Sequence, residues 1–167
     1  MTRPLFRALP TDVARAYQSG GPDAYGRAPE RGTADPGLIA PCRHCLTLVQ
    51  PGEACLVLAH RPFSAAQPYA ETGPIFLHAR ACDRHPDCGD PPRLLLSARQ
   101  LIARAYSADE RIIYGIGGVI APDRLADTAA DLLERPEAAF VHVRFAATSC
   151  FACRVDRARR GDVSNTD

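Results

Sequence analysis

Two cysteine pairs at C-x2-C spacing, Cys42-Arg43-His44-Cys45 and Cys150-Phe151-Ala152-Cys153, are the residues of this chain best suited to chemistry. Zinc takes four soft sulfur ligands tetrahedrally, so Cys42, Cys45, Cys150 and Cys153 form a candidate zinc site, with zinc as the implied cofactor. The flanking residues argue the other way. A zinc-binding turn tightens just past its second cysteine, usually at glycine, whereas Leu46 and Arg154 follow here. If 150–153 is a regular strand, thiols three residues apart point to opposite faces and need a bulge or turn to reach one ion. In the competing reading the cysteines pack as small hydrophobes. A redox pair would need a thiolate at a helix N-terminus, and neither motif begins a predicted helix.

The second constellation runs from His78 to Cys88, with two imidazoles, two thiols and two carboxylates in eleven residues. His78 is expected to end a strand and Cys82 to sit in the loop after it. A Cys–His pair is the minimum for an activated thiolate, which makes Cys82 or Cys42 a candidate nucleophile and His78 its base. The same two residues are alternative metal ligands, because neutral imidazole and thiolate bind one ion together. His85 and Cys88 read as members of a solvated loop. His142 reads as an exposed or hydrogen-bonded strand residue, and Gly115-Ile116-Gly117-Gly118 as a strand bend rather than a phosphate loop, since the next helix comes late and Pro122 intervenes. Arg154, Arg157, Arg159 and Arg160 read as a solvated basic end.

The whole chain bounds what these residues can serve. With 167 residues, 46% hydrophobic and 23% charged, it has the mix of one globular domain with a core, over residues 1–160, followed by a charged, frayed tail at 161–167. Twenty basic residues against nineteen acidic ones leave a net charge of +1, too little to draw in nucleic acid or an anionic membrane. Every basic residue is arginine, which excludes Schiff-base chemistry and a P-loop lysine. No apolar run has signal-peptide or membrane-span length, so a reducing, bacterial-type cytoplasm is the expected location. There, seven cysteines, an odd number, read as free thiols, ligands or redox groups and not as a disulfide framework.

The elements that must position these groups follow from periodicity and turn residues. Residues 10–17 predict a short N-terminal helix with Thr11 as N-cap and Val13, Ala16 and Tyr17 on one face, ended by Gly20-Gly21-Pro22. Residues 20–41 read as an irregular arm. Two strands of a hairpin are expected at 45–49 and 55–58 around the Pro51-Gly52-Glu53 turn, and another strand at 75–78. Residues 101–106 and 111–114 suggest a second antiparallel pair. The main helix is expected at about 123–135, capped by Asp123 and stopped before Pro136. Strands at 140–145 and 150–155 complete an α+β fold with a mostly antiparallel β-sheet, the main helix packed on it, and no βαβ rhythm.

Several ordered segments carry a family resemblance: Phe6-Arg7-Ala8-Leu9-Pro10, Pro41-Cys42-Arg43, Pro51-Gly52-Glu53, Gly73 to Ala79 with Cys82, Ala103-Arg104-Ala105-Tyr106, Val141-His142-Val143-Arg144 and Cys150 to Arg157. Over nearly its whole length the chain resembles the bacterial family called domain of unknown function 1203. The resemblance implies a bacterial domain and no particular activity. It also implies that Cys42, Arg43 and Cys150 are the shared positions and the second cysteine of each pair varies, which directs attention to Cys42, His78, Cys82 and Cys150 as one mixed site. Three functions stand side by side: a zinc-binding domain, a thiol-dependent enzyme with a Cys/His pair, and a non-enzymatic structural or interaction domain with packed cysteines.

Overall fold

The strands divide between two sheets, and every pairing between strands is antiparallel. The structure, a computed structural model, describes residues 2–159 and 162. The rest of the tail expected at 161–167, and Arg160, lie outside the described residues. The chain forms two compact units, Met1–Arg7 with Pro86–Asp167, and Ala8–His85.

The first unit holds β1 (Pro4–Arg7), a one-turn helix at Arg93–Leu96, and strands that pair in the spatial order Pro4–Arg7, Phe151–Arg157, Phe140–Phe145, Leu101–Tyr106, Gly118–Ile120. Its main helix, Leu125–Glu134, buries Leu125, Ala129, Leu132 and Leu133, the one-face spacing of a 3.6-residue period. These pack with Leu101, Ala103, Ala105, Val141, Val143 and Val155, and each fully buried leucine contributes about 1.5–3 kcal/mol. The helix is entered through a 3-10 turn at Pro122–Arg124, where Pro122 supplies the fixed φ of a first turn, and Asp123 lies inside that turn without capping the helix. Arg135 is extended, as a residue before proline prefers.

Three further expectations change in this unit. Residues 111–114 form no strand; only Ile112 bridges Tyr106, and the partner of Leu101–Tyr106 is Gly118–Ile120. Gly117 makes that pairing possible, because its φ is +78° and a Cβ there would strike the Ala103 carbonyl. His142 is fully buried, its ring 4.9 Å from those of Tyr106, Phe140 and Phe151. Arg157 is no merely solvated charge: its guanidinium donates to the Leu133 and Arg135 carbonyls at 2.8 and 2.9 Å, closing the C-terminus of the main helix.

The second unit begins with α1 (Thr11–Gln18) and contains β2 (Glu30–Thr33), β3 (Ala54–His60) and β4 (Gly73–His78), paired in that order. Its core gathers Leu9, Val49, Leu56, Leu58, Ile75 and Leu77 with four alanines, Cys42 and Cys55. The expected arm at 20–41 therefore contains a strand. Residues 45–49 do not form the hairpin partner of β3, whose two edges are taken by β2 and β4; Leu48 makes one isolated bridge to Pro41. In α1, Ala14 is the buried residue, with Val13 and Tyr17 packed beside it, while Ala16 is exposed. Thr11 does not cap α1, because the helix starts at Thr11 itself and its hydroxyl is engaged by His44. Among the described residues no helix is long and apolar enough to cross a membrane.

Candidate metal centre

Cys42 is fixed by strand-like pairing, bridging Phe76 of β4, while the Arg43 amide donates to the Phe76 carbonyl at 3.1 Å. The chain then turns tightly: the Leu46 amide donates to the Cys42 carbonyl at 3.0 Å and the Cys42 amide to the Thr47 carbonyl at 2.9 Å. Leu46 adopts φ +53°, the left-handed conformation that a glycine would take without strain. Its side chain is buried, and that burial offsets a strain of about 1–2 kcal/mol. The tight turn judged improbable from the missing glycine is thus present, made by a leucine.

His78 ends β4 and Cys82 lies in the loop four residues on. On β4 Ile75 and Leu77 face the core, so His78 projects from the other face beside Phe76. The Cys42, Cys45, His78 and Cys82 ligand atoms all lie within 4.8 Å of one another, and this Cys3His group can hold a metal ion. Two of its edges are specific. Cys42 Sγ and Cys82 Sγ are 3.9 Å apart, and Cys45 Sγ and His78 Nδ1 are 3.5 Å apart. A tetrahedron with Zn–S near 2.3 Å and Zn–N near 2.05 Å has S···S edges of about 3.8 Å and S···N edges of about 3.6 Å.

The sulfurs are also hydrogen-bonded by their own turn. Cys42 accepts the amides of Cys45 and His78, and Cys45 accepts the amide and hydroxyl of Thr47, the hydroxyl at 3.2 Å. The thiol of Cys42, donating to Cys45, pulls Cys45 down to about 4, aided by Thr47 and His78 against the cost of burial. The same bond, together with burial, pushes Cys42 up. Burial and the Cys45 thiolate raise Cys82 as well. With His78 Nδ1 turned to the cluster, its Nε2 lies 3.6 Å from Glu53 Oε2, the carboxylate–histidine arrangement that orients a ligating imidazole. Glu53 is held in turn by the Gln50 amide at 2.8 Å.

The two cysteine pairs do not share this site. Cys153 is fully buried in the first unit's core, and Cys150 sits in the turn before the last strand, its thiol 3.6 Å from the Thr148 carbonyl. A bulge does fall here, on the last strand itself, where Ala152 is the extra residue between the partners of Val143 and Arg144, and Ala152 and Cys153 are both buried. Neither Cys150 nor Cys153 belongs to the Cys3His group, whereas Cys45, the cysteine expected to vary, does. Cys88 is likewise elsewhere, with its thiol on the Asp90 carbonyl at 3.1 Å. The His85 amide ties the loop to the His44 carbonyl at 2.9 Å.

The histidine expected to act as base faces a different thiol: His78 is beside Cys45, and Cys82 is beside His44, whose Nδ1 is 3.2 Å from its sulfur. His44 was missed by sequence reasoning although it stands inside the C-x2-C motif. Burial, with Arg15 and Arg84 nearby, lowers its pKa and keeps it neutral. Glu53, Thr11, Arg15 and Gln18 were missed too; the last three recur at i, i+4 and i+7, a polar helical stripe that could have flagged them.

Fold and site together define a small α+β protein with a Cys3His cluster able to take a metal ion. The chain belongs to the family described as protein of unknown function (DUF1203), whose pattern matches residues 39–157 and so includes all four cluster residues. Comparison with curated proteins and with solved structures gave no match.

Proposed function

We propose that this is a zinc-binding protein in which Cys42, Cys45, His78 and Cys82 hold one ion tetrahedrally and the ion stabilises the unit Ala8–His85. The observation that carries the reading is the agreement of the Cys42–Cys82 and Cys45–His78 separations with the two edge lengths of such a tetrahedron. Four protein ligands leave no open position for substrate, which favours a structural ion over a catalytic one. The unit also has need of it: it spans under ~80 residues with a three-stranded sheet and an alanine-rich core, a size at which apolar burial alone supplies little stability.

Elemental analysis of protein purified without chelator or metal-affinity resin tests this. About one equivalent of zinc is expected, lost in Cys82→Ser and in Cys45→Ser but kept in Cys150→Ser. Metal-free wild-type protein that takes up no added zinc would overturn it.

A second reading rests on the Cys45–His78 contact, in which a depressed thiolate beside an imidazole acts as the nucleophile of a thiol-dependent enzyme. The two differ in alkylation. A zinc ligand is protected by added zinc and exposed by chelation, whereas a nucleophilic Cys45 reacts fast whether zinc is present or not.

A further inference from the structure

Helix α1 carries no metal ligand, yet its polar stripe is aimed at the groups that do. The Thr11 hydroxyl is 3.0 Å from His44 Nε2, and His44 Nδ1 is 3.2 Å from Cys82 Sγ. One turn on, Arg15 donates to the Cys82 carbonyl at 2.8 Å and to Gln18 Oε1 at 2.7 Å. Gln18 then donates to the carbonyls of His78 and Arg80 at 2.9 and 2.8 Å. From the other side Arg84 clamps the Ala8 and Leu9 carbonyls at 2.9 and 3.2 Å. The ligand loop from His78 to Cys82 is thus held by its backbone from α1, and its sulfur is held through His44.

We propose that His44 is a positioning residue for the metal centre, and that its hydrogen bond to Cys82, fixed by Thr11 of α1, sets how tightly the ion is held; this rests on the zinc reading above. A thiolate can only accept, so Nδ1–H donates to Cys82 and Nε2 accepts the Thr11 hydroxyl. That chain of two bonds fixes one tautomer and one ring orientation in a residue with no exposed surface. It serves Cys82 in particular, the ligand carried on a loop where Cys42 is held by pairing to β4. Three thiolates on a divalent ion leave one excess negative charge. The N–H bond withdraws charge from one sulfur, and Arg15 and Arg84 lie close enough to act electrostatically on His44. Losing a partner of this kind weakens metal sites by about 10–100-fold.

The test is competition of full-length protein against a chromophoric chelator for Zn2+ and Co2+, with the sulfur-to-cobalt charge-transfer band as a second readout. His44→Gln is expected to bind one ion about 10–100-fold more weakly with a shifted band. His44→Asn, whose amide N–H stands near the place of Nδ1–H, is expected to recover most of the affinity and the band. Thr11→Val should lose less than His44→Gln, since only the orienting bond goes. Equal affinity and spectrum in His44→Gln and wild type would overturn the proposal, as would a His44→Asn variant no better than His44→Gln, which would make His44 mere packing. Wild-type protein that binds neither ion removes the zinc reading itself, an outcome distinct from both.

Discussion

At the scale of the residue, the cluster is a device for sharing protons until an ion displaces them. Cys45 is held as a thiolate, while Cys42 and Cys82 are pushed above the ordinary thiol range. Loading an ion on three thiolates at neutral pH therefore expels about two protons, and affinity should rise by about 100-fold per pH unit until those thiols ionise unaided. Calorimetry in buffers of different protonation enthalpy reads that number directly; binding without proton release would contradict it. His60 sets a separate pH dependence. It is buried in contact with the Tyr17 hydroxyl at 3.3 Å, and burial, with Arg43 nearby, lowers its pKa from 6.5 to about 4. The unfolded chain then takes up this proton first as pH falls, so stability is full above 6.5, declines below it, and has lost on the order of 3 kcal/mol by pH 4. Denaturant melts of His60→Gln across that window should show a shallower decline than wild type, and parallel curves would refute the assignment. What sequence offered at this scale was the inventory: Cys42, Cys45, His78 and Cys82 were all singled out. What it could not offer was the grouping, because C-x2-C spacing says which thiols are local partners and nothing about which strand arrives beside them. Cys150 and Cys153 had the same spacing as Cys42 and Cys45, yet only Cys42 and Cys45 close a tight turn between them, while Cys153 lies within a strand.

At the scale of the element, legibility followed the strength of the periodic signal. The main helix and β4 were visible because their buried faces follow a clear period and proline or glycine marks an end, and the strand at 140–145 because its sequence alternates with period two although the fold buries all but its last residue. β2 was hidden, since Glu30-Arg31-Gly32-Thr33 is exposed throughout and owes its conformation to pairing with β3. The hairpin at 45–49 failed because Leu46 turns the backbone left-handed, a choice that burial imposes and propensity does not announce. The C-terminus of the main helix offers a direct test of such tertiary closure. Arg157→Met keeps most of the aliphatic stem and removes both donors to the Leu133 and Arg135 carbonyls, so a loss of about 1–3 kcal/mol is expected in chemical denaturation. A change within error would mean that water replaces the guanidinium at no cost.

At the scale of the whole molecule, the α+β class and the antiparallel pairing were legible from the absence of any βαβ rhythm, whereas the division of strands between two sheets was not. Spacing along a chain does not reveal where one sheet stops and another starts when both are antiparallel. The division makes a prediction about metal removal. Chelation should strip hydrogen-exchange protection from the amides of β3 and β4, in the unit that contains the Cys3His group, and leave the amides of 101–106 and 140–145 protected. Loss in neither set would show that the ion does not stabilise the unit that holds it, and loss in both that its effect is not confined to that unit.

The ligands flank β3 and β4 on both sides, with Cys42 and Cys82 separated by 40 positions. An ion bound to both ends is a closed ring in the chain, and by the loop-entropy relation for cross-links such a ring restrains the unfolded state by about 4 kcal/mol. It is also a mechanical clasp. Pulled by its ends, the loaded protein should conceal about 140 Å of contour length behind its metal–sulfur bonds and release it in a discrete step, whereas the chelated protein should extend through the same length with no such step.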